Sequence, residues 1–331
     1  MSADDRAWLR VDDQSAVGAV RRVAAGLAAE IGLDENEIGD LAIVATEMAT
    51  NLVRHADDGV VLIRIVRAGD QAGTEIVAID RGPGIPDVAS ASLDGHSTAG
   101  TLGIGLGAIA RKASTFDIYS QVDVGTVLAA AVFAGEGRPS PWVAGLSRPM
   151  PGEEVCGDGY AARTVEGRRQ LMLCDGLGHG PLAAVSAQAA IAEFLAAPAG
   201  GPAAVLDHIH RRIQHTRGVV GAVAEFEPGG GVLRFAGVGN IAGSVADADK
   251  RRAMVSLPGI LGQQRREARE FSYPLPAKAL VVLHSDGLTD RWNLGAYPGL
   301  VTQAPVVVAA TLLRDAAKRR DDASVLVARA S

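Results

Sequence analysis

In the second half of the chain, four short apolar runs each begin or end at an aspartate. Leu171-Met172-Leu173 leads into Cys174-Asp175-Gly176-Leu177-Gly178-His179-Gly180, and Asp158 sits within Cys156-Gly157-Asp158-Gly159-Tyr160. Asp286 follows the run 279–285, and Asp321-Asp322 precedes the run 323–327. Apolar runs of this length, bounded by glycines and polar residues, predict buried strands. Taken singly, an aspartate at a strand end is a turn former. Taken together, the four restrict the fold. If the strand ends converge, the carboxylates repel one another unless cations neutralise them, which is the situation of a two-metal hydrolase.

Other signals in this half predict helices over about 181–196, 202–214 and 304–317. Strands are predicted over 219–226, 232–238 and 241–245, with Gly229-Gly230-Gly231 a turn and Gly237-Val238-Gly239-Asn240 a tight corner. Strands with a few long helices imply an α+β sandwich. Residues 136–150 hold Pro139, Pro141 and Pro149, and no periodicity survives across them. They predict a linker between domains at 1–135 and 151–331.

The first half has a different pattern. Val17, Val20, Val23, Ala24, Leu27 and Ile31 recur at helical spacing, and a second helix begins after Asp34, with Glu37 placed to complete a capping box, and runs to about 56. Glu47, Asn51 and His55 align along one side of that helix, facing either a ligand or water. Strands over 60–66 and 75–79 lead to Asp80-Arg81-Gly82-Pro83-Gly84-Ile85-Pro86, whose glycines and prolines stop both strand and helix. Gly100-Thr101-Leu102-Gly103-Ile104-Gly105-Leu106-Gly107 then opens into a helix over 108–114, and strands follow over 116–120 and 125–133. A glycine-rich loop at a helix start suits phosphate, although the Gly-Lys-Ser/Thr ending of a Walker A loop is missing.

A net charge of −6 argues against a nucleic-acid-binding surface, and no apolar run of about eighteen residues suggests a membrane span. The expectation is a soluble, cytoplasmic protein without nucleic-acid or membrane partners. Its two cysteines, Cys156 and Cys174, read as small buried strand residues, with a redox switch at the site as the alternative, and not as a disulfide framework.

The four motifs of the first half occur in the order of the GHKL ATP-binding domains, and residues 10–135 most resemble the small serine kinases of bacterial stress signalling, the RsbT type. The resemblance implies a GHKL α/β sandwich, with helices on one face of a mixed sheet. It implies that Asn51 holds the Mg2+ bridging the ATP phosphates and that Glu47 is the general base. Asp80 would read the adenine amino group with Gly82 and Gly84 beside it, Gly103, Gly105 and Gly107 would wrap the phosphates, and Thr126 would lie near the adenine. His55 is taken as structural.

Residues 150–331 resemble the protein phosphatase 2C (PPM) superfamily in its SpoIIE/RsbX branch. The match rests on Gly157-Asp158-Gly159-Tyr160, Asp175-Gly176-Leu177-Gly178-His179-Gly180, Gly237-Val238-Gly239-Asn240, Ser285-Asp286-Gly287-Leu288-Thr289-Asp290 and Arg320-Asp321-Asp322-Ala323-Ser324. It implies an α-β-β-α sandwich in which Asp158, Asp175, the Gly176 carbonyl, Asp286 and Asp321 hold two Mn2+ or Mg2+ ions. Those ions would activate water against a phosphoserine or phosphothreonine, with Asp158 and Asp175 central to catalysis. Asp322 would orient its neighbour, and His179 lies either near substrate or on the surface. Ala161 departs from the pattern, because many relatives place a further aspartate there.

The two resemblances imply a partner-switching regulator. Its phosphatase would act on a STAS-type antagonist, in a stressosome-like complex or with a sigma-factor regulator, and its ATP-binding domain would phosphorylate the same or a related protein. The alternative is a first domain that only binds ATP and a partner, in the manner of an anti-sigma factor.

Overall fold

The computed structural model describes residues 3–69, 71–91, 105–264 and 267–330, in two compact units, Met1–Pro141 and Trp142–Ser331. The first unit runs β1 (Ala3–Arg10), α1 (Gln14–Glu30), α2 (Glu35–His55), β2 (Val60–Ala68), β3 (Gln71–Ile79), a short α3 (Val88–Ala91), α4 (Gly105–Lys112), β4 (Thr115–Gln121) and β5 (Gly125–Phe133). The sheet, expected to be mixed, is corrected to one antiparallel at every pairing, in the order β1-β2-β3-β5-β4, because β2/β3 and β4/β5 are hairpins and β3 also meets β5 antiparallel.

Helical spacing explains α1 and α2: Val17, Val20, Ala24 and Leu27 on one, and Leu41, Ala45, Met48 and Leu52 on the other, are all buried. These stripes join one core with Ile63, Ile65, Ile76, Ala78, Leu128 and Ala130 on one face of the sheet. The expected capping box is present, with the Glu37 N–H donating to Asp34 Oδ1 at 2.8 Å and the Asp34 N–H to Glu37 Oε2 at 2.9 Å. Strand β1 was not legible in the sequence. Among the described residues it is an edge strand paired only with β2, and an edge tolerates the charges that hide its alternation.

The second unit runs β6 (Val143–Arg148), β7 (Asp158–Val165), β8 (Arg168–Gly176), α5 (Pro181–Ala196), α6 (Pro202–Arg212), β9 (Val219–Phe226), β10 (Val232–Val238), β11 (Ala242–Ala246) and β12 (Arg251–Met254). It continues with β13 (Ser256–Leu257), β14 (Phe271–Pro274), β15 (Leu280–His284), α7 (Pro305–Ala316) and β16 (Ala323–Arg329). One sheet has the order β13-β10-β9-β8-β7, with β14 also on β10; the other has β12-β11-β15-β16-β6. Helices α5 and α6 cover the first sheet and α7 the second. The inner faces meet where Trp142 packs edge-on to Phe226 and Gly145 lies under the Tyr160 ring. This is an α-β-β-α sandwich.

The stretch expected as a linker is corrected in part. Residues 143–148 are β6, paired antiparallel to β16. Pro139, Pro141 and Pro149 flank that strand instead of interrupting it, and Val143, Ala144 and Leu146 are buried.

Replacing the cap, Asp34→Ala, should cost the first unit about 1 kcal/mol. Urea denaturation followed by circular dichroism would register it as a lower midpoint, whereas an unchanged midpoint would mean the capping box contributes nothing.

Candidate active sites

Alternation along the strands decides where the aspartates of the second unit point. On β8, Met172 and Cys174 belong to the core beneath α5 and α6, so Leu171, Leu173 and Asp175 face the opposite sheet. On β7, a side chain at Gly159 would meet Ile191 and Ala187 of α5, so Asp158 also points inward. It sits directly across from Asp175 in the β7/β8 register. Asp286 lies two residues past β15, and Asp321 and Asp322 immediately precede β16, its neighbour. The two sheets are tied at this end, because Asp322 accepts the Gly157 N–H at 2.8 Å and the Met150 N–H at 2.7 Å. Both Asp322 oxygens are thus engaged by backbone, which suits positioning of the loop before β7. Gly287 is required here: a Cβ would stand 1.8 Å from the Asp322 carbonyl oxygen, so any other residue would push the Asp286 loop off the 321–322 turn.

Burial and crowding dominate the electrostatics. Asp158 is 8% exposed, and neither of its carboxylate oxygens meets a hydrogen-bond donor in bonding geometry. Desolvation pushes its pKa up to about 7, with Asp322 and Asp286 adding repulsion and the nearby Ser285 and Ser324 hydroxyls offsetting part of the rise. Asp175 is raised to about 8 by desolvation and then by Asp158, Asp286, Asp321 and Asp322. Asp321 is raised as well, by desolvation first and Asp286 next.

The residues fit hard divalent cations, since a buried carboxylate without a donor, set among other carboxylates, is satisfied by metal. Among the described residues, no group of three or more His, Cys, Asp or Glu side chains is placed to hold an ion. The Gly176 carbonyl belongs to the residue that follows Asp175 at the end of β8.

In the first unit, Glu47 and Asn51 lie one turn apart on α2, both half-buried. Gly105, the first residue of α4, comes up to them: a Cβ there would sit 3.3 Å from Glu47 Oε2 and 3.5 Å from Asn51 Oδ1. The loop after β3 closes the other side. Asp80 Oδ1 accepts the Gly82 N–H at 2.7 Å and the Thr126 N–H at 3.1 Å. The Thr126 hydroxyl pairs with Ser120 Oγ at 2.8 Å, and the Ile85 N–H donates to that same serine at 2.7 Å. Gly84 adopts φ +72° with its Cα so close to the Gln121 carbonyl that a Cβ would lie 2.3 Å from the oxygen. Gly107 is buried in α4. Gly103 lies outside the described residues. Of the four predicted motif pieces, the α2 face, the Asp80 loop and Gly125-Thr126 lie wholly in described structure, and the glycine-rich piece only from Gly105 on. His55 is exposed, and its carbonyl is where a Gly82 side chain would collide.

Comparison with known proteins assigns both units. Residues 11–132 match the histidine kinase-like ATPase domain, and residues 166–331 match the family described as stage II sporulation protein E (SpoIIE). The chain belongs to the SpoIIE family, behind an RsbT-like ATPase domain. The serine/threonine-protein kinase RsbT of Bacillus subtilis (strain 168) is 31% identical over 127 residues, spanning 38% of this chain and 96% of that kinase. A structure solved in work on the bacterial stressosome, as a modular system adapted to control secondary messenger signaling, is similar at 30% identity with a TM-score of 0.52. That similarity covers 57% of this chain and 98% of the other. RsbX in complex with magnesium is similar at 15% identity and a TM-score of 0.48, over 58% of this chain and 97% of that one.

The chain therefore joins a kinase-like ATPase domain to a SpoIIE-type serine phosphatase domain. Within the SpoIIE domain, sequence reasoning gave Asn240 no role. Its Nδ2 donates to Asp286 Oδ2 at 2.8 Å, and the only signal for this was its place at the end of a glycine corner. The two cysteines are structural. Burial and neighbouring carboxylates push both thiols up, so neither is a ready thiolate. His179 is exposed in the loop after β8 and bonded through Nδ1 to Glu153 at 2.7 Å.

Because Asp158 and Asp175 are raised far above the 3.8 of a free carboxylate, the metal-free folded state binds more protons than the unfolded chain between about pH 4 and pH 8. Metal-free stability should therefore fall as pH rises through that window. Asp158→Asn should flatten the fall and stabilise the metal-free protein at pH 8 by on the order of 1–3 kcal/mol. Urea titrations in chelator across pH 5–8 would measure this, and an unchanged slope in the variant would remove the electrostatic account.

Proposed function

We propose that this is a cytoplasmic partner-switching regulator whose SpoIIE domain hydrolyses phosphoserine or phosphothreonine on a STAS-type antagonist, and whose ATPase domain is a serine kinase for the same or a related protein. The observation that carries the phosphatase half is the buried Asp158 carboxylate without a hydrogen-bond donor, facing Asp175 with Asp286 and Asp321 near. Those four carboxylates and the Gly176 carbonyl would hold two Mg2+ or Mn2+ ions. When bound, the ions supply a water of lowered pKa at neutral pH and charge neutralisation at the phosphoryl group. The chain's own part is to hold the carboxylates in register across two sheets, with Asp322 and Asn240 as positioning residues. In the kinase half, Asn51 would bind the Mg2+ of ATP and Glu47 would take the proton of the acceptor hydroxyl. Asp80, oriented by two N–H donors, would accept from the adenine amine beside Gly82, Gly84 and Thr126, and Gly103, Gly105 and Gly107 would surround the phosphates. The likeness to RsbT and to a stressosome structure supports the STAS partner and a stressosome-like or sigma-factor setting. No helix among the described residues is long and apolar enough to cross a membrane.

Phosphate release from an aryl phosphate and from a phosphorylated STAS protein should require Mn2+ or Mg2+ and disappear in Asp175→Asn. Activity that persists in chelator would end the metal-hydrolase reading. In the other unit, Glu47→Ala should slow phosphoryl transfer from ATP to the STAS protein about 100- to 10,000-fold while leaving nucleotide affinity intact. Undiminished transfer in that variant would dismiss Glu47 as the base. No transfer even in the wild type, with ATP still bound, would leave the unit a binding module.

A further inference from the structure

Two segments that adjoin the acidic cluster carry basic residues that no assigned role uses. On the β8 side, the metal loop is tied to the turn before β9 by the Leu177 N–H donating to the Gly218 carbonyl at 3.2 Å. That turn presents Arg217, whose guanidinium stands 3.6 Å from where a Gly178 side chain would begin. The turn itself is braced, with the Gly218 N–H on Thr216 Oγ1 at 3.0 Å and Gln263 Nε2 on the Thr216 carbonyl at 3.0 Å. On the β16 side, Lys318-Arg319-Arg320 runs directly into Asp321, and the Lys318 N–H bonds the Gly287 carbonyl at 2.7 Å, one residue from Asp286. Lys318 is near enough to Asp321 to offset part of the rise that desolvation and Asp286 cause.

All four basic residues are exposed. Among the described residues, Arg217, Arg319 and Arg320 have neither a hydrogen bond nor an ion pair to a protein acceptor. A third side carries Glu153, engaged by His179, and the exposed Glu154. In a chain of net charge −6, this is a local positive rim around a site whose own carboxylates would be neutralised by metal.

We infer that Arg217, Lys318, Arg319 and Arg320 form a docking rim for an acidic segment of the phosphoprotein substrate, one with Asp or Glu flanking the phosphorylated serine or threonine. The inference rests on the phosphatase reading for the identity of the site. The chemistry is charge complementarity, which steers encounter and register at exposed sites more than it adds affinity per pair. Each exposed pair is weak, so the rim acts through several together and weakens as salt screens it.

The test uses the full chain with Mg2+ and three probes: a phosphoserine peptide with acidic flanks, the same peptide with neutral flanks, and an aryl phosphate. At low salt the acidic peptide should be hydrolysed with a kcat/KM about tenfold above the neutral one, and the preference should shrink at 0.5 M salt. Arg319→Glu/Arg320→Glu should erase the preference while the aryl phosphate is turned over as before. Fluorescence anisotropy with the unphosphorylated acidic peptide separates the two readings, because it requires no hydrolysis. Tighter binding of the acidic than the neutral peptide, lost in the double variant, supports the rim even where no substrate is hydrolysed and the phosphatase reading falls. Equal binding and equal kcat/KM for the two peptides, with the aryl phosphate still hydrolysed, overturns the rim and leaves the phosphatase standing.

Discussion

Repulsion among buried carboxylates at one end of a β-sandwich is the constraint around which the second unit is organised. Asp158 is buried with neither oxygen bonded, and it faces Asp175 across paired strands. The Ser285 and Ser324 hydroxyls nearby offset only part of that cost. What the chain supplies is a frame stiff enough to keep the charges together: two stacked sheets, Asp322 bonded to two backbone N–H groups from the loop before β7, and a glycine at 287 where a Cβ would collide with the opposite turn. Such strain is retained at sites where a ligand relieves it, and a divalent ion is the ligand these oxygens suit.

The first unit uses a carboxylate in the opposite way. Asp80 is oriented by the N–H groups of Gly82 and Thr126 on a loop fastened to the β4/β5 hairpin, so its carboxylate is held in place by backbone donors. Glu47 and Asn51, one turn apart on α2, are brought to the start of α4 by close packing at Gly105. A phosphoryl-transfer site needs little more from the protein than such positioning around nucleotide and metal. A kinase-like ATPase domain and a SpoIIE phosphatase domain stand on one chain at fixed stoichiometry, and the proposed basic rim would give an acidic partner a preferred approach.

Much of both sites could be read without coordinates. The helical stripes of α1 and α2, the capping box at Asp34, the Asp80 loop and the aspartates at strand ends all depend on local spacing, which sequence carries directly. Strands β1 and β6 could not be read in this way. The charges of β1 mask its alternation, and the prolines around β6 resemble a linker until pairing with β16 shows that they only bracket a strand. Asn240 was invisible as a functional residue because its partner, Asp286, is 46 positions away.

By itself the sequence determined which residue types stand at which strand ends and helix faces, since alternation and helical periodicity are properties of neighbours along the chain. Only the tertiary structure decided that Asp158 and Asp175 turn inward while Cys174 turns to the helices. It alone brought Asp286, Asp321 and Asp322 to the same end, with Arg217 and Lys318 at their border. The reason is physical: a raised carboxylate pKa, an unsatisfied oxygen and a positive rim are consequences of distance through space, which loops of tens of residues leave open until the sheets are stacked.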